Sequence, residues 1–172
     1  MFSTRGRTVR FLVAAAVGTA LLSTLAACSS TPAVTTPTAK DVWIKAVPQL
    51  MDGMAMTGMF GEFCNDSSET INILGGTASD KELTKTALDA HEVVENDAGE
   101  MVMQEADGGI PIPAQGCVTL KPGSYHVMFW DLEKPIAVGD SVPATIVFSN
   151  GTSLNVTAVA REIDNANEHY DG

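Results

Sequence analysis

Through most of the chain, apolar residues alternate with polar ones in short runs, and the runs are broken by Gly, Pro, Asn and Asp. That is the period-two signature of half-buried strands. The pattern predicts strands over 42–47, 58–64, 70–74, 90–94, 100–104, 116–120, 125–130, 141–148 and 152–161. Asn65–Ser68, Gly75-Gly76 and Lys121–Ser124 supply turn chemistry between them. Asn150-Gly151 sits at the centre of a hairpin turn. Residues 108–113, rich in Gly and Pro, read as a loop. One stretch departs from this rhythm. Over 79–90, Ser79 stands three residues before Glu82, as in a capping box, and predicts one short helix. Eight or nine short strands with tight turns mean an all-β sandwich or barrel.

The two ends read differently. Arg5, Arg7 and Arg10 precede an apolar run over 11–22, and Leu25-Ala26-Ala27-Cys28 follows. A basic start, a short apolar middle and small residues before a break describe a secretory signal over 1–27. Leu25–Cys28 also resembles a bacterial lipobox, which implies cleavage before Cys28, lipidation of its thiol and attachment to the outer face of the cell membrane. Residues 28–40 read as the lipidated cysteine and a flexible tether of small residues and prolines. The folded domain is expected over 41–162, one core's worth of chain, and 163–172 as a disordered acidic tail that includes His169.

Composition narrows the partners. The chain of 172 residues carries 10 basic and 21 acidic side chains, a net charge of −11, and the leader holds three of the arginines and no acid. So acidic a protein is not expected to bind nucleic acid, nor to grip anionic lipid by charge; its membrane contact would come through the lipid anchor. Of three cysteines, Cys28 is assigned to the lipid. Cys64 and Cys117 remain as a pair in a compartment where disulfides persist, and a bridge between them is expected.

The distinctive chemistry lies between His91 and Met128. Two imidazoles, His91 and His126, occur there with the thioethers of Met101, Met103 and Met128. Thioether sulfur and neutral imidazole suit the soft cation Cu(I); hard cations want carboxylates and carbonyls. Alternation puts His126 and Met128 on one face of a strand, and Met101 and Met103 on one face of another. Together the three strands offer two imidazoles and two thioethers to one ion, with Met101 and Met103 as alternatives. Taken singly, each methionine is better explained as core filler than as a ligand. Met51, Met54 and Met56 lie in an early Met-rich segment that reads either as loop packing or as an auxiliary copper-capturing loop.

Residues 89–148 resemble the periplasmic copper chaperones called PCuAC. The resemblance rests on His91-Glu92, Met101-x-Met103, Gly108–Ala114, Leu120–Met128 and Val138–Pro143, with Trp43–Ala46 similar to that family's first strand. It implies a cupredoxin-like Greek-key β-sandwich and a Cu(I) site made of His91, Met103, His126 and Met128. It also implies copper delivery to the CuA subunit of cytochrome c oxidase, or to another copper chaperone. Two departures stand out. Val93 replaces a methionine found in many members, and the spacing from His91 to Met103 is one residue longer than usual.

Two other classes compete. His91, Cys117, His126 and Met128 have the composition of a blue-copper electron-transfer site, although such sites usually gather Cys, His and Met in one short loop. A lipoprotein that binds only another protein is the second. No enzyme is expected: neither Gly-x-Ser-x-Gly nor His-Glu-x-x-His occurs, and the candidate for a placed acid or base is Glu92 beside His91.

Overall fold

In the computed structural model, residues 34–51 and 55–163 are described. The leader, Cys28, the first part of the tether, Met54 and the tail with His169 lie outside them. Ten strands make up the fold: β1 (Thr38–Lys45), β2 (Thr57–Asn65), β3 (Ile71–Ala78), β4 (Leu88–Glu95), β5 (Met101–Glu105), β6 (Ile110–Ile112), β7 (Gly116–Leu120), β8 (His126–Phe129), β9 (Ser141–Phe148) and β10 (Ser153–Arg161). Among the described residues there is no helix.

The sheet closes on itself. The strands β4-β8-β2-β1-β10-β9-β3 are neighbours in that order, and β3 pairs back onto β4. Among the described strands, only β1 and β10 run parallel. Three strands fork, sharing one edge between two partners. β2 pairs β8 over Thr57–Met59 and β7 over Gly61–Asn65. β3 pairs β6 and then β4. β4 pairs β3 at its start and β5 at its end, with β8 along its other side. The interior is filled by one face of each strand: Ile44, Met59, Phe63, Ile73, Leu88, Ile110, Val127, Phe129, Ile146 and Phe148 are nearly or fully buried there. Such alternation, inward apolar and outward polar, is clearest in β9 and β10.

Four expectations are corrected. Residues 79–90 form no helix. Asp80 accepts from the Glu82 and Leu83 amides, through its side chain and its carbonyl, and the segment then spends its remaining groups on 130–133. The Leu83 carbonyl accepts from the Glu133 amide at 2.9 Å, and the Thr84 hydroxyl donates to the Trp130 carbonyl at 2.7 Å. Long-range bonds outcompete the local capping signal. Gly75-Gly76 does not end a strand; β3 runs through it. A Cβ at Gly75 would stand 2.0 Å from the Leu88 carbonyl oxygen, and one at Gly76 would stand 2.1 Å from that of Thr145. The glycines let β3 pass close between β4 and β9. Residues 110–112 of the expected loop are β6, and their end is gripped by the buried Asn65 side chain, which donates to the Ile112 carbonyl. Lastly, β1 begins at Thr38, inside the expected tether.

Cys64 and Cys117 oppose each other in register on β2 and β7 and are joined by a disulfide, with Cα atoms 4.0 Å apart. Its 53-residue span stabilises the fold by about 4 kcal/mol on the chain-entropy account.

Candidate metal centre

Strand β8 explains how polar ligands come to be buried. All four of its residues are buried. Val127 and Phe129 point into the core. His126 and Met128, on the alternate face, are 3 % and 4 % exposed and lie outside that core. Phe60 on β2 is likewise buried but outside the core, while its neighbour Met59 points in. A second, smaller packed layer therefore lies on the outer face of β2, β8, β4 and β5.

Register assembles it. His91 on β4 is directly opposite His126 on β8 and, on its other side, opposite Glu105 on β5. Met128 is opposite Asp89 on β4 and Gly58 on β2. Met103 is opposite Val93 and Met101 opposite Glu95. Directly opposed residues share a face, so His91, Met103, His126 and Met128 all project to one side. β5 and β8 flank β4, which sets their backbones about 10 Å apart. Methionine and imidazole side chains span that gap: His126 Nε2 lies 3.0 Å from Met103 Sδ. The His91 and His126 rings are 5.9 Å apart between centroids. Met128 follows His126 on the same face, roughly 7 Å along the strand.

Protonation is partly set by geometry. His126 Nδ1 lies 2.8 Å from the Ser124 carbonyl oxygen, which can only accept. Nδ1 therefore carries the proton of the neutral ring, and Nε2 turns a lone pair toward the Met103 sulfur. This is the arrangement by which a backbone carbonyl fixes the tautomer of a ligating imidazole. His91 differs: its buried Nδ1 has no hydrogen-bond partner. A buried polar nitrogen without a partner is costly in an apoprotein, and it is an atom that a bound cation would satisfy. Burial lowers the pKa of His91, against the pull of the Asp89 and Glu105 carboxylates. Burial lowers that of His126 too, opposed by its bond to Ser124 and reinforced by His91. Both rings are thus biased toward the neutral, metal-binding form. Two neutral imidazoles and thioether sulfur fit a soft monovalent cation and offer little to Mg²⁺ or Ca²⁺.

Met101 is 43 % exposed at the start of β5, and the sulfur contact falls to Met103. Met51 is 59 % exposed, and Met56 is half-buried just before β2, one residue from Thr57, which pairs with Phe129. Cys117 is held in the disulfide with Cys64, so among the described residues no cysteine thiolate is available to complete a blue-copper set with His91, His126 and Met128. Glu62, Cys64 and Cys117 also lie close together, but their sulfurs are bonded to each other.

The residues that sequence reasoning passed over are aromatic. Phe60 lies 6.2 Å from the His126 ring and stacks at 4.5 Å on Trp43, over which the Arg161 guanidinium sits. Trp130 meets the His91 ring edge-on at 5.4 Å. Period two carried one step beyond Met128 would have put Trp130 on the ligand face; Phe60 has the same parity as Gly58, opposite Met128.

Comparison with known proteins agrees with this geometry. Residues 38–160 match the model of a family described as "Putative lipoprotein LpqE-like". A protein of Leifsonia xyli subsp. xyli, "Putative lipoprotein Lxx21020", is 35 % identical over 130 residues, covering 76 % of this chain and 72 % of that one. Among solved structures, the apo PCuAC domain from PmoF1 superposes with a TM-score of 0.58 at 19 % identity, covering 76 % of this chain and 97 % of that domain. The copper-bound PCuAC domain from PmoF2 gives 0.56 at 20 % identity over 76 % and 97 %. Apo-DR1885 from Deinococcus radiodurans gives 0.51 at 23 %, over 92 % and 97 %. The fold is that of the PCuAC domain, a cupredoxin-like β-sandwich.

Proposed function

The chain belongs to the LpqE-like lipoprotein family, and from that premise we propose that it is an extracytoplasmic, lipid-anchored carrier of Cu(I). His91, Met103, His126 and Met128 hold the ion as cargo. The observation that carries this reading is the paired approach at His126, with Nδ1 committed to the Ser124 carbonyl and Nε2 facing the Met103 sulfur at 3.0 Å. The PmoF2 domain, which shares this fold, is copper-bound, and that supports the same reading.

Transfer proceeds by ligand exchange. Four neutral ligands hold the ion without thiolate, and thioethers are displaced one at a time by an incoming donor. Met103 lies on β5, which pairs only with β4 among the described residues. It is half-buried, whereas His126 and Met128 are buried. Met103 is therefore the ligand that leaves first, and the two histidines and Met128 retain the ion until the acceptor has engaged. The acceptor is the CuA subunit of cytochrome c oxidase or another copper chaperone. No bond of a substrate is made or broken in this scheme, so the role is not enzymatic. Cys28 carries the lipid.

The test is transfer. The Cu(I)-loaded chain is mixed with a metal-free CuA domain, the two are separated, and copper is measured in each. Movement of copper to the CuA domain, faster from Met103→Leu because the first ligand to be displaced is already gone, supports delivery. Copper that stays with this chain, or moves no faster than free Cu(I), rules that acceptor out.

A further inference from the structure

The two imidazoles are held by different means. His126 is oriented by a hydrogen bond to Ser124. The buried Nδ1 of His91 has no partner, and among the described residues no hydrogen bond orients its ring as Ser124 orients that of His126. What meets its ring is aromatic: His126 on one side, and Trp130 edge-on at 5.4 Å with an interplanar angle of 61°.

Trp130 is itself held by the segment that leads into His91's own strand. The Thr84 hydroxyl, on a side chain with no exposure, donates to the Trp130 carbonyl at 2.7 Å. The next residue, Asp131, has a left-handed φ of 49° and accepts from the Thr86 hydroxyl at 2.9 Å. The Glu133 amide donates to the Leu83 carbonyl. Residues 83–86 thus clamp 130–133, and β4 starts two residues later. The clamp ties the position of the indole to the position of the His91 backbone.

We propose that Trp130 is the positioning residue for His91, replacing the missing hydrogen bond by ring packing and so holding one imidazole in the orientation that the ion requires. This rests on the copper-carrier reading above. The indole touches the ligand and not the metal, leaving the thioethers free to exchange. An edge-to-face contact suits such a role, because it fixes a ring plane while leaving both ring nitrogens uncommitted.

The test combines Cu(I) competition titrations of the full mature chain with proton NMR of the His91 ring in the metal-free state. Trp130→Leu is expected to weaken Cu(I) binding tenfold or more, in the range seen when outer partners of metal ligands are removed. Trp130→Phe, which keeps an aromatic edge, restores most of it. In a His91→Ala background, Trp130→Leu costs nothing further, because the two residues act through one contact. In the metal-free protein the His91 ring protons lose their ring-current shift and average over orientations in Trp130→Leu. Equal loss of affinity with and without His91, or an unchanged His91 ring signal, overturns the proposal. Should Trp130→Leu fail to fold, Thr84→Val releases the Trp130 carbonyl and keeps the indole; it is expected to broaden the same ring signals, and unaltered signals would count against the proposal. If the wild-type chain holds no Cu(I), the carrier reading falls, and the metal-free spectra still decide whether Trp130 orients His91.

Discussion

The Nε2 of His126 lies 3.0 Å from the Sδ of Met103, although β4 stands between the strands that carry them. Because Nδ1 is bonded to the Ser124 carbonyl, this contact brings two electron-pair donors together with no proton between them. Methionine at 103, and not at 101, reaches the imidazole. Met103→Leu is expected to weaken Cu(I) binding at least tenfold, about 1.4 kcal/mol, and Met101→Leu to leave it nearly unchanged. Competition against a Cu(I) chelator measures both; a larger loss in the Met101 variant would reverse the assignment.

Acid should affect the fold and the metal in the same direction. Burial holds the pKa values of His91 and His126 below their ordinary 6.5. A base depressed in the folded state takes up protons more readily when unfolded. The stability of the metal-free chain is therefore complete above about 6.5 and is lost as pH falls from there through the folded pKa values. Copper needs the neutral rings, so affinity stays flat down to about pH 6.5 and declines only below it. Denaturant midpoints and Cu(I) titrations across pH 8 to 5 test the sign; affinity that rises on acidification would contradict it.

Gly58 keeps space beside the site. A Cβ there would stand 2.9 Å from the Phe60 ring, and Phe60 packs near the His126 ring. Gly58→Ala is expected to displace Phe60, cost about 1–3 kcal/mol in stability and lower Cu(I) affinity. Thermal unfolding and titration together read the outcome; full retention of both would mean that Phe60 moves without consequence.

The disulfide and the metal site should behave independently. Cys64 lies six positions along β2 from Gly58, the residue opposite Met128, roughly 20 Å away. Replacing Cys64 and Cys117 by Ser is expected to cost about 4 kcal/mol of stability and to leave Cu(I) affinity of the folded protein unaltered. Loss of copper in the folded double variant would show that the bridge also shapes the site.

Much of the architecture was legible in period two alone, because β9 and β10 alternate between buried and outward positions and Asn150-Gly151 makes the hairpin between them. The same rule put His126 with Met128, and Met101 with Met103, on common faces. It failed where distant groups decide local structure. Ser79 and Glu82 look like a helix start, yet Leu83 and Thr84 bond to residues nearly fifty positions away. Gly75-Gly76 looks like a stop, yet it is a place where three strands pass closely. Ser124, Phe60 and Trp130 were silent because a carbonyl acceptor and an aromatic edge become meaningful only once β2, β4 and β8 are side by side. The choice of Met103 over Met101 came from resemblance, not from spacing, and only the packed hairpin shows which sulfur reaches His126.

The most direct measurement is a competition titration of Cu(I) against a chelator, with the mature chain in its disulfide-bonded form and with His126→Ala and Met128→Ala variants. One Cu(I) per chain is expected, bound without visible colour, and lost in both variants while the fold persists. A wild-type chain that leaves all copper with the chelator, or variants that bind as tightly as wild type, would contradict the assignment of the site.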